Sequence, residues 1–329
     1  MRVISVNFTL RKTVFVILIF VVVSAIIIYI FSQLGFNAIL NALEQANILL
    51  LFPTFLFLIL SFSLRTGRWN LLLSSYKLPP SVKLFPILCS GIFINTIIPL
   101  RVGEFVRSYW LSKDRKTTFS KSLTSVIVER FVDSVALVLI TAFSIIFIFS
   151  DLQNLIQSWL FSVGIIALFI AFFILIRKPW FVNFCIKILQ TVFKPAKQIQ
   201  KKAVEGMSEL TKDIETLITD KRNTPLALLI AFPIWILEAS KVYVLSIAVG
   251  YPLPFGVALF IGATSYLLGA SFVNPAGLSQ LLFMIGLFAF LFPSALVICS
   301  VIALLDWFVS FIWLLISGVP SSLYYSIKI

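Results

Sequence analysis

From residue 13 to residue 31 no charged side chain interrupts the chain, and apolar runs of this kind recur as far as residue 317. A hydrocarbon layer about 30 Å thick is crossed by about 20 apolar residues of α-helix. Water does not reach the backbone there, so every N–H and C=O must find its partner inside the protein. Only 12% of the 329 residues are charged, against about 25% in soluble domains, and the mean hydropathy is +1.08. The pattern predicts an all-α polytopic membrane protein, a single integral membrane domain over residues 1–329, with no polar stretch long enough to fold as a separate catalytic domain.

The runs predict about six full spans, at 14–31, 48–64, 122–149, 158–176, 226–249 and 294–317. Two further apolar segments, about 84–110 and 257–291, are broken by Pro and Gly and read as re-entrant helical hairpins. Pro86, Gly91, Pro99 and Gly103 are the expected breaks in the first. Such backbone is tolerated at membrane depth only where protein buries it or a cavity solvates it.

The net charge of +13 is distributed unevenly. In this scheme every one of the 26 Lys and Arg residues except Arg130 and Lys241 falls on one side or at its hairpin, with Arg65 and Arg68 opening a basic loop after the second span. The excess of basic residues in cytoplasmic loops places both termini in the cytoplasm, the protein being integral to the cell membrane. Anionic lipid is the expected partner of this charge, and nucleic acid is not. Residues 177–224 form a polar connector, in which Ile199, Ala203, Met207, Leu210, Ile214, Leu217 and Ile218 recur at helical spacing. They predict an amphipathic helix on the cytoplasmic surface.

The same order of elements occurs twice. Span, span, hairpin, span over 14–149 is followed by span, span, hairpin, span over 158–317, with opposite orientation. Pro99-Leu100-Arg101-Val102-Gly103-Glu104 aligns with Pro275-Ala276-Gly277-Leu278-Ser279-Gln280. Broken helices at matching places of inverted halves point to a central transport site.

Chemistry concentrates in Asn95, Pro99, Arg101, Gly103, Glu104 and Arg107 of the first hairpin. A helix starting near residue 101 would turn its free N–H groups and positive dipole end toward an anion. Arg101, Glu104 and Arg107 share one side of it, and two guanidiniums suit a phosphate because each donates two hydrogen bonds. Glu129, Arg130 and Asp133 form a second cluster, either a polar wall toward that hairpin or an internal salt bridge. An ionised side chain in mid-bilayer costs about 2.5–3.5 kcal/mol on the insertion scale, so three together require compensation. Glu238, Lys241 and Asp306 are their counterparts in the second half, with Glu238 and Lys241 spaced to pair and Lys241 or Arg130 the expected partner of Asp306. Asn274, Pro275, Gly277 and Gln280 complete the expected second-half pathway.

The chain contains no histidine, which removes His-based triads and His–metal hydrolases. Cys89, Cys185 and Cys299 have no metal or disulfide spacing. No catalytic residue, metal or cofactor is expected, and the chain reads as a transporter rather than an enzyme. A membrane-embedded transferase with Glu104 or Asp133 as base is the alternative, opposed by the lack of a paired-aspartate metal motif and of a donor-binding domain. A third reading is an accessory subunit that binds a lipid- or glycan-synthesis enzyme.

Asn95-x3-Pro99-x-Arg101-x-Gly103-Glu104-x2-Arg107, followed by Glu129-Arg130-x2-Asp133, resembles the flippase-like transmembrane family, the membrane region of lysylphosphatidylglycerol synthases. Members also occur as stand-alone proteins linked to hopanoid transport or archaeal glycosylation. The resemblance covers about 10–320 and implies movement of an anionic or amphipathic lipid between leaflets. The family's second motif, Pro-Gly-Gly-x-Gly-x-x-Glu, is altered here: Ala276 and Ser279 replace two glycines, and Leu282 stands in place of the Glu. The aminoacyl-transfer domain of the full synthases has no counterpart, so lysyl transfer to lipid is not implied.

Overall fold

The structure is a computed structural model that describes residues 35–98, 101–145, 219–269 and 277–328, with shorter pieces at 32, 209–210 and 212–217. The spans expected at 14–31 and 158–176, most of the 177–224 connector, and Pro99, Asn274 and Pro275 lie outside the described residues.

Every regular element among the described residues is helical. In chain order they are α1 (Phe36–Glu44), α2 (Leu51–Ser74), α3 (Leu84–Ile97), α4 (Val102–Asp114), α5 (Phe119–Ser144), α6 (Asn223–Ala248), α7 (Phe255–Gly269), α8 (Leu278–Leu291) and α9 (Leu296–Lys328). Among them α2, α6 and α9 are long and apolar enough to cross a membrane. The 26-residue α5 matches them in length but carries Glu129, Arg130 and Asp133. At 1.5 Å per residue, α3, α4, α7 and α8 each reach about 20 Å, too short for a hydrocarbon layer of about 30 Å.

The second span is longer than expected. No residue stronger than Gly67 disturbs the helical run until Pro79 and Pro80, so α2 continues ten residues past residue 64. Arg65 and Arg68 therefore stand inside a helix and are buried, not in a cytoplasmic loop. Lys77 ends the run in the left-handed conformation, with φ 60°. Pro86 falls in the first turn of α3, where a missing N–H costs nothing.

Gly91 and Gly103 are not breaks either. A Cβ on Gly103 would overlap the Gly91 carbonyl oxygen and come within 2.8 Å of Asn95 Oδ1. One on Gly91 would lie 2.9 Å from Arg107 Cβ. These glycines let α3 and α4 touch backbone to backbone. α3 ends at Ile97 and α4 starts at Val102, directly after Arg101, which takes φ 54°.

The described residues divide into two compact units that interleave along the chain, one drawn from within 1–59, 86–107 and 238–328, the other from within 60–85 and 108–237. In the first, α7 packs on α8, α8 on α9, and α9 on α1. Gly269 meets Gln280 of α8 and Gly262 meets Ala239 of α6, at 2.8 Å from an ideal Cβ in both cases. Asn47 fixes the entry to α2, its N–H donating to the Ala248 carbonyl at 2.8 Å.

In the second unit Trp69 and Leu72 of α2, Val126 and Ala136 of α5 and Ile234 of α6 are fully buried. The described end of the connector is helical at 212–217, with Leu217 buried and Glu215 and Thr216 exposed, as its amphipathic pattern predicts. Hydroxyls hold it: Ser120 Oγ donates to Asp213 Oδ2 and Ser75 Oγ to Asp220 Oδ2, both at 2.6 Å. That bond, with backbone N–H donation from Asn223, holds the Asp220 carboxyl down at about 2. Burial pushes the Tyr76 phenol up from its ordinary range.

Candidate functional site

In the second unit the helical repeat of α2 sets Arg65, Arg68 and Trp69 on one face, and that of α5 does the same for Ser125, Glu129 and Asp133. Arg68 uses its fork on both acids: Nη1 donates to Asp133 Oδ1 at 2.6 Å and Nη2 to Glu129 Oε1 at 3.2 Å. Its side chain and that of Glu129 are 0% exposed. Arg130 reaches Glu129 at 2.8 Å and Asp133 at 3.5 Å while staying 26% exposed. Arg65 lies 3.8 Å from Asp133 and 4.4 Å from the centre of the Trp235 ring. Trp235 Nε1 donates to Asp133 Oδ1 at 2.8 Å, and Trp69 Nε1 to Ser125 Oγ at 2.9 Å.

Among the described residues three guanidiniums thus surround two carboxylates. Arginine does not give up its proton at any accessible pH. Arg130 is the most exposed of the group. The expected pairing of Arg130 with Asp133 is present; Arg65 and Arg68 were not expected there. Ending the span at the first cation hid them, although the unbroken helical run through Trp69, Leu72 and Leu73 marks the helix as continuing.

The first unit holds the hairpin residues. Arg101 precedes α4 rather than opening it, and its Nη1 donates to Glu104 Oε1 at 3.3 Å. The Glu104 N–H is taken by the Arg101 carbonyl at 3.0 Å. Arg101 remains 27% exposed at its side chain. Arg107 is buried, its stem against Gly91, so it and Arg101 sit in different surroundings despite their spacing. Asn95 Oδ1 is buried beside Gly103 and accepts no hydrogen bond among the described residues.

The same unit brings together the expected residues of the second half. Lys241 Nζ stands 3.2 Å from Glu238 Oε2 and 3.2 Å from Asp306 Oδ1, and donates to Ser310 Oγ at 2.7 Å. Gln280 Nε2 donates to Asp306 Oδ2 at 3.0 Å, and the Tyr266 hydroxyl to Glu238 Oε2 at 3.3 Å. Lys241 is thus the partner of Asp306. Gly277 stands immediately before α8 with φ 75°.

Residues 16–318 match the family described as the lysylphosphatidylglycerol synthase TM region. A UPF0104 membrane protein of Methanocaldococcus jannaschii is 24% identical over 315 residues, covering 92% of this chain and 91% of the relative. A UPF0104 membrane protein of Methanothermobacter thermautotrophicus is 26% identical over 296 residues, covering 85% of this chain and 84% of its own length. The helices, their apolar length and this match over nearly the whole sequence agree: the chain belongs to the family of the lysylphosphatidylglycerol synthase transmembrane region.

Proposed function

We propose that this protein is a lipid translocase of the cell membrane, moving a lipid with an anionic head group between leaflets while the tails stay in the hydrocarbon. The observation that carries the reading is the cluster of Arg65, Arg68, Arg130, Glu129 and Asp133, five charged groups gathered on two helices of membrane length. Two helices would not keep five ionised groups within the hydrocarbon for packing alone, because each costs about 2.5–3.5 kcal/mol on the insertion scale. Arg101 and Arg107 would receive the phosphate, with Asn95, Gly103 and Glu104 shaping the hairpin around it. Both termini would face the cytoplasm, and a lipid- or glycan-synthesis enzyme would be the natural partner.

The α3–α4 and α7–α8 pairs would be the two re-entrant hairpins of an inverted repeat. Both α4 and α8 start one residue after a left-handed residue, Arg101 in one case and Gly277 in the other. The register that aligns those two also aligns Arg65 with Lys241 and Arg130 with Asp306, all members of buried ion clusters. The transferase alternative is less well supported: Glu104 is bonded to Arg101, and Asp133 to Arg68 and Trp235, which leaves neither set up as a base.

The test is leaflet exchange of fluorescent lipids by the pure protein in liposomes. Exchange in the native protein and its loss in Arg101→Ala, with folding intact, are expected. Full exchange in that variant would refute the site, and no exchange of any lipid would refute the function.

A further inference from the structure

The segment between the first two expected spans folds as α1, and its sides differ in kind. Phe36, Leu40 and Leu43 recur at i, i+4 and i+7, so they share one stripe of the helix. Asn37, Asn41, Glu44 and Gln45 occupy a separate arc and are all exposed. Ile39, on the flank of the apolar stripe, is fully buried, and α1 packs on α9. On the polar arc, Asn41 and Gln45 line a cleft with Ser294 and Ala295, just before α9. Phe36 and Leu40 remain exposed. Past the end of α1, Ile48 is 72% exposed, Leu49 82% and Phe52 75%. Scattered exposed apolar residues need no explanation, but five large ones in one short segment mark an interaction surface.

Three helices of membrane length fix the level at which α1 lies. α2 begins at Leu51, shortly after it. The Asn47 N–H donates to the carbonyl of Ala248, the last residue of α6, at 2.8 Å. α9 begins at Leu296, next to the cleft that Asn41 and Gln45 line. Thus α2 starts, α6 ends and α9 starts around α1, which places it at a rim of the hydrocarbon layer. The basic loop of Lys77 and Lys83 follows the other end of α2. In sequence the rim is poor in cations: residues 32–64 hold Glu44 as their one charged side chain, and residues 242–327 hold no Lys or Arg. Interfacial helices bind through buried apolar area and, where they carry Lys or Arg, through anionic lipid as well. α1 has the apolar face without the cations.

We propose that α1 lies in the membrane interface on the side away from the basic loops. Phe36 and Leu40 sit among acyl chains, Ile48, Leu49 and Phe52 continue that contact, and Asn37, Asn41, Glu44 and Gln45 face water. The partner is the hydrocarbon of uncharged or zwitterionic lipid, not an anionic head group. The proposal concerns this surface alone and stands whether or not the protein moves a lipid.

The test is electron paramagnetic resonance of the full chain in phosphatidylcholine liposomes. Spin labels are placed singly through Leu40→Cys, Asn41→Cys, Glu44→Cys and Leu49→Cys, in a background carrying Cys89→Ala, Cys185→Ala and Cys299→Ala. Each label is relaxed by oxygen, which concentrates in hydrocarbon, or by a water-soluble nickel chelate. Oxygen is expected to dominate at positions 40 and 49 and the chelate at 41 and 44, with no change when anionic lipid is added. Should that background fail to fold, the native chain is cross-linked to phosphatidylcholine bearing a diazirine in its acyl chain, and the adducts are mapped by mass spectrometry. Leu40 and Leu49 are expected to carry adducts, and Asn41 and Gln45 none. Dominance of the chelate at 40 and 49, or the absence of adducts there, would overturn the proposal. Exclusion of both reagents at 40 with spin–spin broadening would overturn it in favour of an interface between copies of this chain. Access to hydrocarbon only when anionic lipid is present would overturn it in favour of recognition of an anionic head group.

Discussion

Arg68 carries the heaviest electrostatic duty of any described side chain, since both Glu129 and Asp133 depend on it. Removing one partner of a buried pair leaves the other charge uncompensated and costs about 3–5 kcal/mol. Arg68→Ala is expected to lower stability by that amount, measured as thermal or denaturant unfolding in detergent. Arg101 is a different case. Its side chain is 27% exposed, and its backbone conformation costs a non-glycine residue about 1–2 kcal/mol. Arg101→Gly should therefore keep or raise stability while abolishing lipid exchange, which separates a functional arginine from a structural one; loss of stability together with exchange would make it structural. Asp220 gives a pH signature. Its carboxyl is held at about 2, below the ordinary 3.8, so its contribution to stability is present above the ordinary value and fades as pH falls toward 2. Unfolding of Asp220→Asn against the native protein should show a gap at neutral pH that closes in that acid range.

At the scale of elements, the helices were legible where hydrophobic length alone decides. The broken apolar segments at 84–110 and 257–291 fall on the short helices α3–α4 and α7–α8, and the spans at 226–249 and 294–317 fall on α6 and α9. What failed was the end of α2, because charge was taken to terminate a span that a partner helix in fact satisfies. Glycine was legible as a signal but not in its role: Gly91 and Gly103 read as breaks, whereas the structure uses them for close approach. The distinction depends on a neighbouring helix that local sequence does not reveal. The pairings Glu238–Lys241 and Arg130–Asp133 were legible from i, i+3 spacing, whereas charge alone left Lys241 or Arg130 for Asp306, and the structure selects Lys241. Gly103→Ala should separate α3 from α4 and lower the unfolding temperature more than Gly286→Ala, whose Cβ meets nothing within 4 Å. Equal effects of the two would contradict close packing at Gly103.

For the whole molecule, membership of the family rests on a match over residues 16–318, and the helical architecture is that of the described residues. Each compact unit has its own buried ion cluster among the described residues. The central claim is that Arg101 of the broken hairpin meets the phosphate of a lipid. The most direct measurement compares leaflet exchange, in liposomes holding the pure protein, of one fluorescent lipid in its phosphorylated form and after removal of the phosphate. Exchange of the phosphorylated lipid, slow or absent for its neutral counterpart and lost in Arg101→Gly, is the predicted result. Equal exchange of both forms, or exchange indifferent to Arg101, would contradict it.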